Sequence, residues 1–152
     1  MSNVLESYIQ QFAKLTGGYY EFISTYGRAW TPKPNPDWLK LGRAKMCYEN
    51  AGRIALQRED LIYVEGVALR LIPVPHAWLV TLDGDVIDPT WQSPETCQYF
   101  GLAFKRDYLA QNILTTETWG IMGEFVPDDL IENPLPAMHP LFVREKAINT
   151  AE

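Results

Sequence analysis

The spacing of hydrophobic positions changes several times along this chain. Over residues 3–15, Val4, Tyr8, Ile9, Phe12 and Leu15 recur at three- and four-residue intervals, which predicts an amphipathic helix ended by Gly17-Gly18. Residues 19–40 lose that rhythm. Aromatic residues crowd together there, and Pro32, Pro34 and Pro36 block regular structure, so the stretch reads as a wrapping loop. KMCYENAGRIALQ (45–57) restores a helical pattern without proline, with Cys47, Ala51, Ile54 and Ala55 on one face. The spacing then shortens. LIYVEGVALRL (61–71) and HAWLVTL (76–82) are rich in β-formers, Asp83-Gly84 signals a tight turn, and DVIDPTW reads as a short third strand.

Past Trp91 the pattern is weaker. YFGLAF (99–104) suits a strand or an extended segment, RDYLAQNIL (106–114) a helix, and TTETWGIMGEF a second short helix. Asp128-Asp129-Leu130-Ile131 reads as a further turn, and the proline-bearing tail (135–152) as extended. This order predicts an α+β fold in one domain of residues 1–152. Residues 1–44 form a helix and wrapping loop; in the core, residues 45–91, a helix packs on a small antiparallel sheet, with peripheral helices outside it.

Composition narrows the function classes. The chain has 152 residues, 47% hydrophobic and 21% charged, an ordinary balance for a domain that buries about 70% of its unfolded surface. Its net charge is −6, with 19 acids against 13 bases and no basic cluster of the kind that neutralises phosphates, so no nucleic-acid partner is expected. No apolar run is long enough for a membrane span, and MSNVLESYIQQFAKL lacks the basic start and apolar core of a signal peptide. With two cysteines and no export signal, the expectation is a cytoplasmic protein with free thiols; a Cys47–Cys97 disulfide is the alternative. Two histidines and two cysteines at scattered positions make no zinc spacing, and no glycine-rich phosphate loop occurs, so neither metal nor cofactor is expected.

Three residues suit nucleophilic chemistry. Cys47 falls at the predicted start of a helix, where unpaired backbone N–H groups favour an anion and can hold a developing oxyanion. His76 opens a strand after Pro75, at the rim of a sheet, 29 residues after Cys47. Asp88 lies 12 residues beyond His76, and the Asp83-Gly84 turn can fold it back beside the imidazole, to fix the tautomer and balance its charge. Each has a plainer reading: a buried small hydrophobe, a satisfied histidine, a turn aspartate before proline.

The run CYENAGRIALQREDLIYVEGVAL…HAWLVTLDGDVIDPTW resembles the core of the transglutaminase-like, papain-like cysteine enzymes: a cysteine opening a helix, a strand with a glycine-containing GVA segment, a His-Ala-Trp strand and an Asp-Pro-Thr strand. The resemblance covers about residues 45–91. It implies a papain-like fold, with Cys47 as nucleophile, His76 as base and acid, and Asp88 as the orienting carboxylate. The implied activity is cleavage of an amide or acyl bond in a peptide, amide or acyl substrate, through a thioester. Two alternatives are transfer of the acyl group to an amine, and an inactive binding or inhibitory module of the same fold. Many relatives place glycine before the cysteine and tryptophan after it, where this chain has Met46 and Tyr48. Trp78 and Trp91 are expected to flank the triad, and Trp30 or Tyr19 to reach it from the preceding loop.

Overall fold

In the computed structural model, which describes residues 3–123 and 125–143, the first helical pattern forms α1, Val4–Thr16. Asn3 caps it by accepting from the Glu6 amide at 3.1 Å, while Leu5 and Ile9 are fully buried. Gly17, at φ 62°, ends the helix.

The next stretch departs from the expected loop. Gly18–Tyr26 forms a second helix, α2, and Arg28–Trp30 a three-residue strand, β1. The prolines begin only at Pro32, GYYEFISTY contains none, and burying Phe22 and Ile23 on the sheet favours the helix. Residues 32–46 do wrap without helix or strand.

Then follow α3 (Cys47–Gln57), β2 (Ile62–Leu69), β3 (Pro73–Val80), β4 (Val86–Ile87), β5 (Gln98–Phe104), α4 (Arg106–Thr116) and α5 (Asp128–Glu132). Four expectations change. The third strand is only two residues long, so Asp88 lies just beyond it. Asp128–Glu132 is a helical turn, with acids at its start where the dipole favours them. TTETWGIMGEF does not make a second helix, because Glu65 accepts from the Ile121, Met122 and Gly123 amides, which a helix would need for itself. The tail is not extended over 135–143: Leu135–Ala137 and Pro140–Phe142 are 3-10 turns, and Met138 bridges to Phe104. The rest of that predicted tail, 144–152, lies outside the described residues.

The five strands form one antiparallel sheet in the order β1-β5-β2-β3-β4. Alternate residues divide between two cores. Tyr63, Val67, Ala77, Leu79, Phe100, Leu102 and Phe104 face the helices, and Ile62, Val64, Ala68, Trp78, Val80, Tyr99 and Ala103 face the other way. That second face is covered by the sheet itself, which curls until its edges meet. The Thr31 amide donates to Gly84 O, and the Val86 amide donates to Thr31 O at 2.9 Å. The curl brings Gly66 and Gly101 opposite one another, so close that a Cβ on either would strike the facing backbone.

Because β4 pairs only with Leu79 and Val80, no other described strand lies along that side of β3 between Pro73 and Trp78. Pro73 and Pro75 are tolerated on this open edge because their missing N–H groups are not needed there. Helix α3 packs mainly against β3. Among the described residues, no helix is long and apolar enough to cross a membrane.

Candidate active site

Cys47 is the first residue of α3, preceded by Met46 at φ −111° and ψ 41° and by Lys45 in the left-handed region at φ 67°. No side chain caps this helix, and the N–H groups of a helix start are those the helix itself leaves unbonded. His76 stands on the open edge of β3 and Asp88 one residue past β4. All three are buried: Cys47 is 8% exposed, His76 3% and Asp88 not at all.

The structure brings them together. His76 Nε2 and Asp88 Oδ2 are 2.9 Å apart, and Cys47 lies near enough to the same imidazole to raise its pKa together with Asp88. Since Asp88 occupies Nε2, Nδ1 is the nitrogen left for the thiol. Trp91 stacks on the imidazole at 3.9 Å and 17°, and Trp78 lies nearly parallel to it at 6.1 Å, so both flank the triad as expected. Trp30 does not reach the site; it points into the curl and donates from Nε1 to Gly101 O at 3.0 Å. The Tyr19 hydroxyl donates to Gly66 O, on the residue paired with His76.

Asp88 is saturated with donors. Oδ2 also accepts from the Tyr99 hydroxyl at 2.7 Å, and Oδ1 accepts from the Thr90 and Trp91 amides at 2.9 and 3.1 Å. Hydrogen bonds to a buried carboxylate at these distances fix its position beside the imidazole. Burial lowers the His76 pKa, but the hydrogen bonds and charges of Asp88 and Cys47 outweigh it and raise it from 6.5 to about 9. Burial, followed by the Asp88 charge, pushes the Tyr99 phenol well above its ordinary value, which keeps it a donor.

The 32–46 segment joins these parts. The Asn35 side chain donates to Asp88 O at 2.9 Å and to Trp91 O at 3.1 Å, and accepts from the Asp88 amide at 2.8 Å. Asn50 on α3 donates to Thr90 Oγ1 and to Arg43 O, both at 2.9 Å, and the Gly42 amide donates to Pro89 O at 2.7 Å. The start of α3 is thereby tied directly to the segment that follows Asp88.

Asn35 and Tyr99 escaped the sequence reading. Asn35 lies between Pro34 and Pro36, which spoke only for a loop, and Tyr99 carried no signal beyond its strand. Glu65 was missed as well. It is buried on β2, accepts from the Tyr63 hydroxyl at 2.6 Å besides the three loop amides, and so holds the 121–123 loop. That loop continues from Gly120, which lies against the Tyr48 ring, next to Cys47 in the chain.

Both cysteines are free, so the disulfide alternative does not hold. Among the described residues, no group of three His, Cys, Asp or Glu side chains could hold a metal. Cavities of about 560, 650 and 200 Å³ lie under α2, beside Trp38 and beside His139, and none of these three is lined by the triad. Of the three residues, His76 is the one that stands on the open β3 edge. No protein-family model, no curated protein and no solved structure matches the chain.

Proposed function

We propose that the chain is a papain-like, transglutaminase-like thiol hydrolase that cleaves an amide or acyl bond through a Cys47–His76–Asp88 triad. One observation carries this reading: a single buried imidazole is bonded on Nε2 to a saturated carboxylate and lies beside a thiol at a helix start. A structural histidine needs one partner; nucleophilic catalysis needs two of opposite function.

In the reaction, His76 Nδ1 takes the Cys47 proton while Asp88 balances the imidazolium charge. The sulfur attacks the acyl carbon, and the oxyanion that forms is stabilised by the positive end of the α3 dipole. As the tetrahedral adduct collapses, His76 returns its proton to the departing nitrogen or oxygen, leaving a thioester on Cys47. Water, deprotonated by His76, then attacks the thioester; the acid leaves and the thiol is restored.

The test is the pH dependence of iodoacetamide labelling at Cys47 in the wild type and in His76→Ala. Cys97 is an internal control, since it is 3% exposed and burial pushes its thiol up. Rapid labelling of Cys47 well below about pH 8, lost in the variant, is the expected result. Labelling of Cys47 that begins only near the ordinary thiol value of about 8.5, with or without His76, would remove the enzymatic reading.

A further inference from the structure

The hairpin joining β2 to β3 turns at residues 70–72 beside the site. Leu71 and Ile72 are 87% and 67% exposed at its tip. Arg70 lies back over Trp91, its guanidinium carbon 5.0 Å from the ring, and Trp91 in turn stacks on His76 at 3.9 Å. The guanidinium therefore lies at most about 9 Å from the imidazole, held by an aromatic face that leaves its N–H fork open.

Charge pairing sets Arg70 apart. Arg53, Arg58 and Arg106, away from the triad, bond Glu49, Asp60 and Glu59 at 2.7, 2.7 and 3.2 Å. Arg70, and Arg43 ahead of Cys47, form no ion pair with any described residue. The approach to the nucleophile also carries Lys40, Arg43 and Lys45 without an acid from residue 38 to residue 48, although the chain as a whole has a net charge of −6. Cations left unneutralised around a reactive centre in an acidic protein draw anionic ligands to it.

We propose that Arg70 is the anion-binding residue of this cleft and that the substrate carries a carboxylate within one amino-acid residue of the bond attacked by Cys47. The class is an acidic peptide or an N-acyl amino acid, with the carboxylate taken by the Arg70 fork and the neighbouring apolar part lying along Leu71 and Ile72. A bidentate guanidinium–carboxylate pair spans about 4 Å between carbons, so of the at most about 9 Å between guanidinium and imidazole only about one residue's length remains. The assignment rests on the thiol-hydrolase reading of the site, and it makes Arg70 a specificity determinant, not a catalytic group.

The experiment measures Cys47 labelling by bromoacetyl-glycine, which carries the carboxylate, and by bromoacetyl-glycinamide, which does not. The expected result is a preference of about tenfold or more for the carboxylate reagent at low salt. That preference falls toward one in Arg70→Gln, is partly kept in Arg70→Lys, and is unaffected in Arg106→Gln, which removes an equal charge far from the site. A ratio near one in the wild type, or an equal fall in Arg70→Gln and Arg106→Gln, overturns the proposal. If both reagents label slowly and independently of His76 while the Arg70-dependent ratio persists, the anion site stands and the hydrolase reading falls.

Discussion

Replacing Asp88 with asparagine removes one charge from a fully buried position while keeping the shape of the side chain. The amide oxygen can still accept from Thr90 and Trp91, but its NH2 group now faces His76 Nε2 and the Tyr99 oxygen. A donor at Nε2 selects the neutral imidazole with its proton on Nδ1, where it can no longer take the Cys47 proton. The Cys47 contribution remains, but burial loses the Asp88 bond and charge that oppose it most, so the value falls from about 9 toward the ordinary 6.5. That change is worth about 3 kcal/mol. The sign follows from linkage. In the wild type the raised pKa makes the folded state bind the proton more tightly, so its stabilisation is complete below 6.5 and is lost as pH rises through about 9. Urea unfolding at about pH 6 and about pH 9.5 should therefore cost the wild type about 3 kcal/mol more than Asp88→Asn over the same span. Cys47 alkylation near neutral pH should drop by about 100-fold or more in the variant, the usual size of a lost general base. Parallel stability curves for the two proteins would refute the charge coupling. Equal alkylation rates would refute the assignment of Asp88 as orienter.

Two further outcomes follow from the buried polar contacts. Asn35→Ala strands the Asp88 amide and two carbonyls, so it should lower stability by about 1–3 kcal/mol and slow Cys47 alkylation as Asp88 drifts; an unchanged melting curve would show that the clamp carries no energy. Glu65→Gln sets an NH2 group against the Tyr63 hydroxyl or a loop amide, and should cost about 1–3 kcal/mol and speed hydrogen exchange at residues 121–123, with equal exchange in the two proteins counting against it. Burial outweighs the four donors and raises the Glu65 pKa above 4.5, so its stabilising contribution is complete below 4.5 and declines as pH rises through the folded value. The glutamine variant should lack that decline.

What could be read from the chain depended on how local the cause was. α1 and α3 follow from periodicity, and β2, β3 and the Asp83-Gly84 turn from composition, because each is decided by neighbours in sequence. The place of β5 between β1 and β2 has no local signature: YFGLAF reads the same at an edge or in the middle of a sheet. The loop over 117–123 was misjudged for a related reason, since Glu65, 56 residues away from Ile121, takes the amides that helix propensity would have used. Proline misled at residues 19–31, where the breakers at 32, 34 and 36 were read back onto a stretch that holds none.

The same distinction explains the site. Cys47, His76 and Asp88 stand out because each is a reactive residue beside a boundary signal: a helix start, a strand after proline, a turn. Their supports do not stand out, because asparagine and tyrosine are ordinary residues until the fold aims them. Yet those supports decide whether the three act together. Asn35 fixes the Asp88 backbone, Asn50 and the Gly42 amide bind the approach to α3 onto Thr90 and Pro89, and Tyr99 holds the carboxylate from across the sheet. Cys47, His76 and Asp88 arrive on or beside three elements, and hydrogen bonds between the loops that follow or precede those elements make the proposed triad one unit. The short β4 completes the arrangement. A longer strand would have continued along β3 past Leu79 and covered the edge where His76 meets Cys47. Truncating that strand leaves β3 with an unsatisfied edge that its own prolines make harmless, and the opening that results lies beside His76, where the proposed chemistry needs access.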